Sequence, residues 1–140
     1  MAKDKGLQRF MEAQENDYQA AFAEIKRGKK QTHWMWYIFP QVQGLGFSET
    51  SRYYAIRDID EATAFLTHPV LGRRLIRISK KLLELETNDA QEVFGNPDDI
   101  KLRSSMTLFA SVPRSDGVFE RVLQKFFRGQ KDNQTLALLR

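Results

Sequence analysis

Five apolar side chains constrain the fold of this chain more than any other feature. Leu71, Leu75, Ile78, Leu82 and Leu85 recur at steps of three and four residues. That spacing gathers them on one stripe of an α-helix and leaves Arg73, Arg77, Lys80 and Lys81 on another face. Thr67-His68-Pro69 precedes the stripe as a start signal, with Pro69 expected at the first helical position and His68 in the capping region. The same period runs through Leu7, Phe10, Met11, Tyr18, Ala21, Phe22 and Ile25. It predicts an amphipathic helix over about 7–27, closed by Lys26, Arg27 and a left-handed Gly28.

The remaining chain reads in the same way. A short helix is expected over 48–56, and Asp58 or Asp60 can cap another over 61–66. Asp89-Ala90-Gln91-Glu92 forms a capping box for a short helix that ends at Gly95. Asn96-Pro97-Asp98-Asp99 opens a helix to about Ala110, with Asn96 as its cap and the acids set against the helix dipole. Val118, Phe119, Val122, Leu123 and Phe126 form the core face of a helix over about 116–128, and Asp132 or Asn133 caps a last one through Leu139. The expected fold is all-α: a compact orthogonal bundle of five to seven helices, with room for one small β element near residues 34–48. No repeat or Pro/Gly-rich linker divides the chain, so residues 1–140 are expected to form a single helical domain behind a flexible N-terminus, residues 1–6.

Composition removes several chemistries. There is no cysteine, which excludes disulfides, thiol nucleophiles and thiolate metal sites. Two histidines, without an HExxH, EF-hand or phosphate-loop motif, give no basis for a metal site or a cofactor. Gly44-Leu45-Gly46 lacks the third glycine of a dinucleotide fingerprint, and no Gly-x-Ser-x-Gly elbow is present. The first residues lack the apolar core of a signal peptide, and no apolar run is long enough to cross a bilayer. A soluble, cytoplasmic protein without a membrane partner is expected. The net charge of +4 lies wholly in the second half of the chain. That excess suits an anionic ligand or a solvated basic face. Nucleic acid is not expected as a partner, because no finger, helix-turn-helix or RNA-binding signature accompanies the basic stripes at Arg73, Arg77 and Lys80 and at Arg121, Lys125 and Arg128.

The segment from His33 to Gln41 packs six large apolar side chains beside one histidine, and a Gly44–Gly46 turn follows. Pro40 disfavours helix at Phe39, so the segment is expected to be extended or a single helical turn. Aromatic walls with a few polar groups make small-molecule pockets, although Trp34 and Trp36 can equally plug the core. Candidate ligand-binding residues here are Trp34, Trp36, Gln41, Gly44 and Ser48. Lys101, Ser104 and Ser105 share a helix face where cation and hydroxyls can hold a phosphate or carboxylate, and Arg73 adds positive charge. Candidates for acid–base chemistry are His33, Glu49 and Asp99, although dipole compensation also explains Asp99. These residues suggest a pocket for an anionic, nucleotide- or ribose-phosphate-like molecule, with hydrolysis at a glycosidic bond as the reaction if one occurs. The alternative is a non-catalytic helical interaction module that binds an acidic protein or RNA through its basic faces. The residues leave open whether the protein is an enzyme and what its oligomeric state is.

Several strings together carry a resemblance. They are His33-Trp34-Met35-Trp36-Tyr37-Ile38-Phe39-Pro40-Gln41, Gly44-Leu45-Gly46, Tyr54-Ala55-Ile56 and His68-Pro69-Val70-Leu71-Gly72-Arg73-Arg74-Leu75. Phe94-Gly95, Asp99, Lys101-Leu102, Ser104-Ser105-Met106-Thr107-Leu108-Phe109, and Asp132 with Thr135 complete them. Over about residues 7–139 the chain resembles the bacterial domain of unknown function 1810 family, whose members are sometimes labelled calpastatin. The resemblance implies a small, mostly helical cytosolic protein and supplies no reaction. Tyr53-Tyr54, Pro69-Val70-Leu71-Gly72-Arg73, Met106 and the later Lys-Phe-Phe are more distantly similar to the NADAR N-glycosidases. The catalytic glutamate of those enzymes would fall at Arg52, so no catalytic residue carries over.

Overall fold

A computed structural model describes residues 6–140. The expectation for the N-terminal segment therefore lies outside the described residues, apart from Gly6, whose carbonyl accepts from Arg9. The long stripes produce the long helices: α1 over Gln8–Arg27, α5 over Leu71–Leu83, α7 over Asp98–Ala110 and α8 over Val118–Phe127. Between them lie α2 (Met35–Ile38), α3 (Glu49–Tyr53), α4 (Ile59–Thr67) and α6 (Ala90–Phe94), and α9 (Asn133–Leu138) follows α8. Nine helices among the described residues exceed the five to seven expected. The excess comes from one-turn pieces of four to six residues that could not persist alone and are held by caps and packing. No strand occurs among the described residues. The β element reduces to one parallel bridge between Val42 and Ile56, where Gln43 N–H donates to Ile56 O and Ile56 N–H to Gln41 O, both at 2.8 Å.

Local chemistry sets the helix ends. Gly28 closes α1 with φ 84°. Ser48, Asp58, Asp89 and Asp132 cap α3, α4, α6 and α9 through their side chains. Two starts are capped otherwise than expected. Helix α5 begins at Leu71, because His68 Nδ1 accepts the N–H groups of Val70 and Leu71 at 3.1 and 3.2 Å and makes Pro69-Val70 a turn. Helix α7 begins at Asp98 with Pro97 in the cap position, so Asn96 does not cap it; Asn96 donates instead to Asp99 Oδ1 at 3.2 Å.

Helix α7 lies at the centre and packs against α4, α6, α8 and α9, while α5 packs against α1, α4 and α8. Phe10, Phe65, Phe109 and Phe119 form a chain of ring contacts at 5.1, 5.4 and 5.8 Å that joins α1, α4, α7 and α8. Gly72 permits the closest approach, since a Cβ there would lie 1.8 Å from the Leu66 carbonyl oxygen. Among the described residues no helix is long and apolar enough to cross a membrane.

Candidate functional site

The aromatic segment is anchored from beneath by one buried carboxylate. Glu24 Oε1 accepts from Gln31 N–H, Thr32 N–H and Trp34 Nε1 at 2.8, 3.1 and 2.9 Å, and Oε2 accepts from the Thr32 hydroxyl at 2.7 Å. Burial alone would raise its pKa, but these four hydrogen bonds outweigh burial and hold it near about 2. Trp34 is thereby fixed inside the core at 1% exposure, against Phe39 and Phe94. Two residues later, one turn of α2 brings Trp36 to the surface on the other side of this plug.

Trp36 forms the floor of an open cleft of about 360 Å³. The loop from Gln41 to Ser48 makes one wall, with Ser51 of α3 behind it. The N-terminal half of α7 makes the other, through Pro97, Ile100, Lys101 and Ser104, and the start of α9 adds Asp132 and Gln134. Lys101 Nζ sits 4.8 Å from the centroid of the Trp36 ring. Its partner is Asp98 Oδ1 at 3.4 Å, and Lys30 Nζ takes Asp98 Oδ2 at 3.0 Å. Two ammonium groups share this one carboxylate, and the cleft itself is lined by one cation, Lys101, and one carboxylate, Asp132. The rim is apolar: Phe47 and Ile100 are 79% and 52% exposed.

The cleft also holds a built polar network. Asp132 Oδ2 accepts from Ser104 Oγ at 3.0 Å, from Thr135 N–H at 3.1 Å and from the Thr135 hydroxyl. Asp132 N–H donates to Thr107 Oγ1 at 2.9 Å, and Arg103 Nη2 lies 3.9 Å from Asp132 Oδ1. These contacts explain why α7 buries Ser104 and Thr107 among apolar neighbours. Ser105, on the same helix, is fully buried, and its hydroxyl has no hydrogen-bond partner among the described residues.

Of the residues singled out in the sequence, Trp36, Gln41, Ser48, Lys101 and Ser104 meet around this cleft. Gly44 lines a smaller adjoining recess with Gln43 and Arg52, and the two hollows share Trp36, Gln41, Leu45, Gly46 and Ser51. Trp34 and Ser105 lie in the core, and Arg73 lines a different groove. His33, Glu49 and Asp99 line neither hollow; His33 and Glu49 are exposed, and Asp99 is half-buried beside Asn96. Sequence reading did not assign Phe47, Ile100, Asp132 and Gln134 to a site. Asp132 read only as a helix cap, which it is, and nothing local signals that the capped turn abuts α7. Among the described residues no three His, Asp or Glu side chains come together as metal ligands.

A small all-helical protein with one aromatic-floored cleft is the class that this geometry defines. The chain belongs to the family described as Protein of unknown function (DUF1810), whose model matches residues 4–139. It is similar to the conserved hypothetical protein Rv1873 from Mycobacterium tuberculosis, a crystal structure at 1.38 Å, with 41% identity, 95% of each chain covered and a TM-score of 0.93. No curated protein matches. The N-glycosidase likeness gains no support from either match.

Proposed function

We propose that the cleft between the 41–48 loop and the N-terminal halves of α7 and α9 binds a small organic anion with a flat apolar part, of the nucleotide or ribose-phosphate type. The observation that carries this reading is the convergence of Trp36, Gln41, Ser48, Lys101 and Ser104, drawn from separate elements, around one hollow with an exposed aromatic rim. Trp36 and Phe47 offer ring faces, the Lys101 ammonium offers a cation to a phosphate or carboxylate, and Gln41, Gln134 and Ser48 offer amide and hydroxyl groups. The proposal is one of binding. None of His33, Glu49 and Asp99 reaches the cleft, and the carboxylate that does, Asp132, is engaged by Ser104 and Thr135.

The test uses AMP, ribose 5-phosphate and uncharged adenosine, read by melting temperature and tryptophan emission. AMP is expected to raise the melting temperature and change the emission, and a Trp36→Phe variant should lose the emission change because Trp34 is buried. Lys101→Ala should weaken AMP about tenfold, the worth of one charge-assisted contact. Absence of any shift at millimolar ligand would refute the reading.

A further inference from the structure

A second groove runs between α1 and α5 and shares no residue with the cleft. Six cations line it: Lys26 from α1 and Arg73, Arg74, Arg77, Lys80 and Lys81 from α5. Glu15 and Glu84 are its acids. The groove therefore carries an excess of four positive charges, as large as the net charge of the entire chain. The rest of the molecule balances to zero. Among the described residues only Lys81 of these six has an ion-pair partner, Glu84 at 2.8 Å, and Arg73, Arg77 and Lys80 are exposed. A fold gains nothing from holding such charges side by side, since like charges repel.

We infer that this groove binds the phosphodiester backbone of a single-stranded nucleic acid. The arginines argue for phosphate. Arg77 lies with its guanidinium carbon 4.5 Å from the Phe22 ring centroid, and Arg74 lies 5.2 Å from that of Tyr18. Each guanidinium is thus held beside a ring by cation–π attraction; Arg74 also donates to Gln14 Oε1 at 3.3 Å, while the exposed Arg77 presents N–H groups to an oxyanion and a planar face to a base. From Arg73 to Lys81 the helix rises about 12 Å, which spans three to four nucleotides of a stacked strand. A membrane surface fits poorly, because the exposed large apolar side chains Phe47, Tyr53, Ile100 and Leu138 all lie outside the groove. A duplex fits poorly as well, because the cations line a concave furrow between two helices and not a projecting element. The inference departs from the expectation that nucleic acid is not a partner: that expectation rested on the signatures of known modules, whereas the furrow is assembled from two helices about fifty residues apart.

The test is fluorescence anisotropy of labelled oligo-uridine and oligo-thymidine 12-mers with the full chain, at salt from 50 to 200 mM. Either strand should bind, and the ratio of the two affinities tells RNA from DNA. With four phosphates neutralised, log affinity should fall against log salt with a slope of about −3. Arg73→Glu/Lys80→Glu should lose at least about tenfold, while Arg121→Glu/Arg128→Glu, on and beside α8, should not. If the reversal fails to fold by circular dichroism, Arg73→Gln/Lys80→Gln should lose affinity in the same direction with a smaller salt slope. The inference is overturned by absence of binding at 50 mM salt, by equal loss in both charge-reversed variants, by tighter binding of a duplex of the same sequence, or by displacement of the oligonucleotide with polyglutamate at equal charge.

Discussion

Glu24 shows how one residue can order a segment that has no regular structure of its own. Residues 29–34 offer two backbone N–H groups, a hydroxyl and an indole N–H, and a single buried carboxylate accepts all four. Its pKa of about 2 lies below the ordinary 4.5. A depressed carboxylate stabilises the fold fully above its unfolded pKa, and that stability is lost as pH falls from about 4.5 toward about 2. The shift corresponds to roughly 3 kcal/mol at neutral pH. Glu24→Gln keeps the shape but loses the charge and one acceptor oxygen, so it should cost about 2–3 kcal/mol at pH 7. At pH 3 the gap between the two proteins should narrow. Urea denaturation at both pH values checks this, and a gap that does not change with pH would mean that the Glu24 charge is not what orders the segment.

At the scale of elements, the contrast between α5 and α7 explains what was legible in the sequence. Helix α5 buries one face, so its leucine stripe gave its existence and orientation, and its basic face followed from the same pattern. Helix α7 is buried from Leu102 to Phe109 on nearly every side, and no stripe distinguishes its faces. Its Ser104 and Ser105 read in sequence as one polar face with Lys101 that can hold an anion; in the fold Ser104 and Thr107 are partners of Asp132 across a helix–helix contact, which no local pattern reveals, and Ser105 is buried. The site was legible to the extent that Trp36, Lys101 and Ser104 could be singled out by residue type. Which of two tryptophans reaches the cleft depends on Glu24, ten residues from Trp34, and could not be read locally. The α7–α9 junction yields its own prediction. Asp132→Ala removes the α9 cap and the carboxylate that accepts from Ser104 and Thr135, and should cost about 2–3 kcal/mol. Hydrogen exchange over residues 133–139 should then quicken much more than exchange in α1. Equal protection in α9 of the variant would show that packing alone holds that helix.

For the molecule as a whole, the question is whether nine helices, several of one turn, unfold as a unit. The ring chain from Phe10 through Phe65 and Phe109 to Phe119 links four helices that are distant in sequence, and α7 also packs against α6 and α9. None of the one-turn helices can persist apart from this core. Removing the Phe109 ring leaves a cavity at the centre of the network, and Phe109→Ala should cost about 3–5 kcal/mol, a large share of the 5–15 kcal/mol typical of a domain. Trp34 and Trp36 belong to the aromatic segment, so their fluorescence reports on that segment, whereas far-ultraviolet circular dichroism reports on the long helices. The two urea transitions should coincide in the wild type and shift together in the variant. If the fluorescence transition stays in place while the helical transition moves, then the cleft wall and the helical core are separate folding units, and the cleft does not depend on the central ring chain for its shape.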